Sequence, residues 1–302
     1  MRRFITYCLA FAVIVAAVLL ALEWAVRMQP NVYSYKHQYM LGHHDEVETV
    51  ILGNSHTLYG INPELIPGKA FNLANFSQTF DYDLLLLQKY APYKSLKTVI
   101  AQVSYSSFFD PPIDDGKEWV YSRNYRIYMD INKGPLLSKY NWELSNFNFF
   151  KGKVQKTVVK RPVRDYTPLG QGINTMMPKR TDFDHLGRVI AKRHKVKDYR
   201  WVDYNVAVLQ RIIDYCHQNG WRLILITPPA HKEYRKVIDQ QQYKKMMEII
   251  ATLQARNSAC LEYKSYFDSD LFDTPDFRDP DHLYNGEPAD RLTRLVVADF
   301  EL

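Results

Sequence analysis

Apolar positions along this chain follow three different spacings, and each predicts a different element. From Phe4 to Leu22 the run is uncharged and nearly unbroken. At about 1.5 Å per residue, a helix of that length crosses about 30 Å of hydrocarbon. Farther on come short, strand-length runs at 47–52, 69–73, 98–103, 221–227 and 260–263, of which 98–103 is β-branched and largely apolar. Such runs read as strands buried on both faces, the pattern of a parallel sheet. Between them lie segments of helical period. In 202–219, Val206, Leu209, Ile212, Ile213 and Cys216 fall on one side before Gly220, and 240–256 repeats the pattern. A closing helix over 287–300 places Leu292, Leu295, Val296 and Phe300 together. Leu84, Leu85, Leu86 and Leu87 are contiguous in a helix expected over 81–90, which points to burial on several sides. Helix, glycine, strand is the grammar of βαβ units, so the fold class is α/β.

Between 109 and 200 the alternation fades. Pro111-Pro112, Asp114-Asp115-Gly116, scattered bases and many aromatics replace it. This stretch reads as an insertion after a strand's carboxyl end, where site walls are commonly built. Tyr121, Tyr125, Tyr128, Trp142, Phe147, Phe149 and Phe150 serve there either as sugar-stacking platforms or as a small satellite core. The expected organisation is an anchor over 1–27, a polar, aromatic-bearing linker over 28–47, and one domain over 48–302 carrying the insertion.

Arg2 and Arg3 before the apolar run favour a cytoplasmic N-terminus, which places everything after Arg27 outside the cytoplasm. A cleaved signal peptide is the alternative, but the apolar stretch exceeds the usual core and lacks a clean Ala-X-Ala end. The expected location is therefore the cytoplasmic membrane, single-pass, with the body extracytoplasmic. Net charge is +6. In that compartment anionic lipid or polysaccharide is a better match than nucleic acid. The basic excess gathers at Lys151, Lys153, Lys156, Lys160, Arg161, Arg164 and Lys192-Arg193-His194-Lys195, and serves either as a solvated face or as a contact for phosphate headgroups or an acidic glycan. Of three cysteines, Cys8 lies in the anchor, and Cys216 and Cys260 read as free thiols rather than a disulfide framework. No cofactor is expected, since glycine is sparse and no phosphate-binding loop is present. His43-His44-Asp45 lacks the spacing of a metal centre.

The chemistry is concentrated at two places. The strand ending at Leu52 stops abruptly at Gly53-Asn54-Ser55-His56, which lifts a serine hydroxyl to the carboxyl edge of a sheet. Near the other end, Asp279-Pro280-Asp281-His282 sets an acid three residues before a histidine that it can orient. A serine hydroxyl needs a base within hydrogen-bond reach, itself held in one tautomer by a carboxylate. Ser55, His282 and Asp279 are thus the candidate triad. His231, just past the strand at 221–227, is either a further site residue or an ordinary loop histidine.

With these blocks in this order, the chain resembles the SGNH or GDSL hydrolases, whose first block is Gly-Asp-Ser after a strand and whose last is Asp-X-X-His. Asn54 stands for the usual aspartate. Asn72-Leu73-Ala74-Asn75-Phe76-Ser77 looks like the second block, with Ser77 in the place of the glycine whose N–H helps bind the oxyanion. After 98–103 the family's Gly-X-Asn-Asp is replaced by Ser104-Tyr105-Ser106-Ser107, so its oxyanion asparagine is missing. The resemblance implies a three-layer, flavodoxin-like α/β/α sheet, with Ser77, Asn75, Ser104 and His231 as candidate oxyanion or substrate-binding residues. It further implies esterase or O-acyltransferase chemistry on acyl groups of cell-envelope glycans. The implied partners are an acylated glycan or acyl donor and a membrane-bound O-acyltransferase. A protein that keeps this fold but only binds glycan or such a partner is the alternative.

Overall fold

A computed structural model of the protein describes all residues except 133, 160–163, 176, 177 and 179, with side chains left undescribed at 156–159. The chain forms two compact units, residues 1–37 with 119–164, and residues 38–118 with 165–302. Its helices are α1 (Arg2–Arg27), α2 (Val32–His43), α3 (Ser55–Gly60), α4 (Phe80–Lys89), α5 (Trp119–Tyr128), α6 (Phe147–Val159), α7 (Phe183–His194), α8 (Val202–Gln218), α9 (Lys232–Arg235), α10 (Gln240–Arg256) and α11 (Glu287–Asp299). Where a linker was expected, α2 forms instead. Tyr33, Lys36 and Met40 are buried at helical spacing along it, a pattern hidden by the polar residues between them.

The second unit is built on five strands, β1 (Thr49–Ile51), β2 (Ala70–Asn72), β3 (Thr98–Gln102), β4 (Arg222–Thr227) and β5 (Leu261–Ser265). All pair in parallel, in the order β2-β1-β3-β4-β5. In register across the sheet, Ile51, Ile100 and Ile224 present one face. They join Leu292, Val296 and Phe300 of α11 in a single apolar cluster. Val50, Val99, Leu223 and Leu225 point the other way and are equally buried. Both faces are therefore covered, which is the condition under which a parallel sheet persists. The order makes this a flavodoxin-like doubly wound sheet: the chain steps from β1 to β2 on one side, then returns to β3 on the other. The crevice at the carboxyl ends of β1 and β3 is the switch point where such sheets hold their ligands.

A separate antiparallel pair, β6 (Phe277–Asp279) and β7 (His282–Leu283), sets Asp279 opposite His282 across its turn.

The region expected to be irregular contains α5, α6 and α7. In the first unit, Arg123 is fully buried. It donates to the carbonyls of Trp142 (3.1 Å) and Glu143 (2.8 Å), while the Glu143 carboxylate accepts from Tyr128 (2.7 Å) and Lys153. Tyr125 and Phe150 are buried, whereas Phe147 and Phe149 are exposed, so the aromatics divide between a satellite core and a surface. Lys153 spends its charge on Glu143 and Lys195 pairs with Asp239 at 2.7 Å, so part of the basic excess is neutralised locally. Lys160, Arg161 and the Lys156 side chain lie outside the described residues. Cys8, Cys216 and Cys260 are free thiols.

Candidate active site

The turn after β1 is fixed from several directions. Gly53 has φ +112°, and a Cβ there would sit 2.5 Å from Gln102 Cγ and 2.7 Å from Thr57 Oγ1. Only glycine suits this conformation and this space. The Gly53 N–H donates to Asp83 Oδ1 at 3.0 Å, and Gln78 Nε2 donates to the same oxygen at 2.5 Å. Burial pushes the Asp83 carboxyl up to about 7, against the lowering effect of those two donors. Asn54, in the place of the family aspartate, caps α3 by accepting the His56 N–H at 3.1 Å. Thr57 donates its hydroxyl to the Leu52 carbonyl (2.8 Å) and its N–H to Gln102 Oε1 (3.1 Å). Ser55 thus becomes the first residue of α3.

From 227 residues away, the β6–β7 turn delivers the imidazole: the Ser55 hydroxyl lies 2.7 Å from His282 Nε2. Asp279 Oδ1 accepts from the N–H groups of Asp281 (3.1 Å) and His282 (3.0 Å) and lies 2.9 Å from His282 Nδ1. A carboxylate can only accept there, so Nδ1 carries the proton and Nε2 is left to accept from Ser55. Arg278 approaches Asp279 Oδ2 at 3.2 Å. Burial pushes the Asp279 carboxyl up, but the imidazole of His282 outweighs it and holds the acid below its ordinary value. For His282, burial disfavours the cation, while Asp279 and then Asp281 favour it, and the net direction is upward. The pair behaves as an acid–base couple with a strengthened base.

A second carboxylate–histidine pair lies alongside the first. The His56 ring stacks on that of His282 with centroids 4.5 Å apart and planes 12° from parallel. The cap bond from its own N–H orients the Asn54 amide, and Asn54 Oδ1 lies 2.7 Å from His56 Nδ1, so Nδ1 donates. His56 Nε2 faces another acceptor, Asp281 Oδ1, at 3.1 Å. Both ring nitrogens therefore meet accepting oxygens. His194 Nε2 lies 3.9 Å from Asp281 Oδ2, and its Nδ1 meets the Tyr234 hydroxyl at 3.0 Å. Burial raises Asp281, but His56 and His194 pull it far below the usual carboxylate range. A small recess opens here, lined by His56, His194, Asp281, Ser104, Tyr234 and Phe267 among others. His56, Asp281 and His282 could also gather around a metal ion. His282, however, already has Nδ1 on Asp279 and Nε2 on Ser55, so the set is better satisfied as hydrogen-bonded pairs.

The other expected residues have different fates. Ser77 holds φ +53° as a non-glycine residue and donates its hydroxyl to Glu118. Among the described residues, the N–H groups of Ser55 and Ser77 have no acceptor. Asn75 spends its Nδ2 on the Leu73 carbonyl (3.1 Å) and Gln78 Oε1 (3.3 Å), and its N–H on the Gly53 carbonyl (3.1 Å). It braces the turn. Ser104 is closed on Ser107, through its N–H at 2.8 Å and its hydroxyl at 2.9 Å. His231 is engaged in structure: Nε2 meets Thr274 Oγ1 at 2.9 Å, Nδ1 accepts the Glu233 N–H at 3.2 Å, and the ring lies against Phe183 and Phe277. Its N–H donates to the Pro280 carbonyl at 3.0 Å, so it supports the turn bearing His282 instead of facing substrate. His56 and Asp281 were missed although both stand inside the two blocks. The signal was a second His and a second Asp, one beside each triad member.

No family model matches the chain, and no curated protein does. Among solved structures, a GDSL-like lipase from Bacteroides thetaiotaomicron VPI-5482 is similar at 12% identity and a TM-score of 0.42, over 89% of this chain and 98% of that one. A Streptococcus pneumonia structure named for platelet activating factor is similar at 13% identity and 0.43, over 97% and 99%. The distances above, and not these likenesses, carry the reading of the site. In sheet order, and in the order and geometry of Ser55, Asp279 and His282, the chain is similar to the SGNH or GDSL hydrolases.

Proposed function

We propose that the protein is a membrane-anchored, extracytoplasmic serine esterase or O-acyltransferase acting on acyl groups, chiefly acetyl, of cell-envelope glycans. The observation that carries the chemistry is the continuous relay from Ser55 Oγ through His282 to Asp279. As Ser55 Oγ bonds to the ester carbonyl carbon, its proton passes to His282 Nε2, and Asp279 stabilises the resulting imidazolium. The N–H groups of Ser55 and Ser77 are the donors available to the oxyanion. Collapse expels the alcohol, which takes the proton back and leaves Ser55 acylated. Water or a glycan hydroxyl then attacks, again losing its proton to His282, and yields free acid or acylated glycan. Losing one oxyanion donor costs about 3 kcal/mol of barrier. With the family asparagine replaced, transfer from an activated donor, such as one supplied by a membrane-bound O-acyltransferase, fits better than bulk hydrolysis.

Retention of the anchor is supported by the end of α1. Glu23 is buried, and its carboxylate accepts from the N–H groups of Glu143 (2.8 Å) and Leu144 (2.9 Å) and from Arg27 Nε (2.7 Å). Cleavage near Ala21 would leave these packed residues as a frayed terminus.

Labelling of the full chain with a serine-directed fluorophosphonate tests the reading. The protein labels and Ser55→Ala does not, with thermal unfolding unchanged. A folded wild-type chain that stays unlabelled would favour the non-catalytic, glycan- or partner-binding alternative. If Ser55→Ala still acquires acyl groups, the nucleophile is another residue.

A further inference from the structure

We infer that residues 134–149 dock onto the bilayer surface beside the point where α1 leaves it. This rests on the anchor reading above. Within the first unit, a chain of contacts fixes the height of this segment along α1. The uncharged run ends at Leu22, and the next residue, Glu23, holds the N–H groups of Glu143 and Leu144. Arg27, about 6 Å farther along the helix than Glu23, donates to the Asn141 carbonyl and lies 5.3 Å from the centre of the Trp142 ring. The headgroup layer is about 5–8 Å deep, so 141–144 is held within it.

The preceding loop is tied to the same level. Asn141 Nδ2 donates to the carbonyls of Gly134 (3.2 Å) and Pro135 (2.8 Å), and Trp142 Nε1 donates to that of Leu136 (2.7 Å). Leu136 and Leu137 then stand 74% and 89% exposed, with Phe147 at 69% and Phe149 at 40% on α6. Apolar side chains so placed, on a segment bonded to the end of a spanning helix, meet acyl chains before they meet water.

The accompanying groups suit the same occupant. Trp24, 66% exposed, belongs to the same turn of α1 as Glu23. Lys139 is exposed and lies 4.5 Å from the ring centre of Trp119 and 4.9 Å from that of Tyr140, while Arg126 lies 4.2 Å from Tyr140. Aromatic rings backed by cations are the composition of membrane–water interfaces, with the cations toward phosphate. The surface thus fits an anionic lipid bilayer.

The test uses the full chain carrying Cys8→Ala and Cys260→Ser, leaving the buried Cys216, reconstituted in liposomes of phosphatidylcholine and phosphatidylglycerol. An environment-sensitive nitrobenzoxadiazole label is placed at Leu137→Cys, a largely exposed position that folding does not need, or at Val13→Cys within α1. The Leu137 label is expected to shift to the blue and to be quenched several-fold more by nitroxides near the headgroups than by aqueous iodide. Quenching by iodide alone would overturn the inference. So would shielding from both quenchers, which would mean a protein contact such as a second copy. Mid-chain nitroxides should quench the Val13 label. If they do and the Leu137 label answers only to iodide, the surface inference falls alone. If Val13 is silent, the anchor reading fails and takes the surface with it.

Discussion

Asp281→Asn separates the second carboxylate from the first. Asp281 Oδ2 lies 4.0 Å from His282 Nδ1 and makes no hydrogen bond to it, so it acts on the base through charge alone. At an effective dielectric of about 20, unit charges at that distance interact by about 4 kcal/mol, or about 3 pH units. His56 at 3.1 Å shares the same carboxylate and draws on part of that field. The net effect on His282 is therefore smaller than that bare interaction. The sign follows from the direction at His282, which is raised and receives an upward contribution from Asp281. The neutral base exists above that raised value, so fluorophosphonate labelling falls away as pH drops through it. Without the Asp281 charge, the acid limb moves to lower pH. The assay is the second-order labelling rate between about pH 5 and 9, with thermal unfolding recorded for each variant. An unmoved limb in a folded Asp281→Asn protein, or one displaced upward, would refute the electrostatic coupling.

Two further outcomes concern the turn beneath Ser55. Asp83 is held up to about 7 by burial, above its ordinary 3.8, so the folded state binds the extra proton and stability drops as pH rises from about 4 to about 7. Asp83→Asn keeps an oxygen for Gly53 and Gln78. It should therefore flatten that dependence and stabilise the protein at pH 8 by at most about 4 kcal/mol in denaturant titrations. Gly53→Ala places a Cβ 2.5 Å from Gln102 Cγ at a φ of +112°. It should cost about 2–4 kcal/mol and reduce labelling in the protein that remains folded. A fully stable, fully labelled Gly53→Ala chain would contradict the close packing.

The sheet was legible because its strands are short, β-branched and buried on both faces, as at Thr98–Gln102 and Arg222–Thr227. The meeting of Asp279 with His282 was legible because the two face each other within one hairpin, so their relation is local in sequence. Apart from the Ser55–His282 pairing, contacts made between distant segments were not legible. His56 meets Asp281, and His231 supports the Pro280 carbonyl, only because the β6–β7 hairpin folds back over the sheet edge. Helices α5 and α6 escaped notice because the first unit is held together by polar burial. Arg123, Glu143 and Glu23 occupy positions where a periodicity reading looks for apolar residues.

The distance in sequence between nucleophile and base has a consequence for biogenesis. An amino-terminal fragment released by a stalled ribosome or an interrupted export would carry the alcohol and its glycine turn without His282, whose Nε2 lies 2.7 Å from that alcohol in the folded protein. On the serine-nucleophile reading proposed above, reactivity switches on only when the segment bearing Asp279 and His282 has emerged and closed over the sheet.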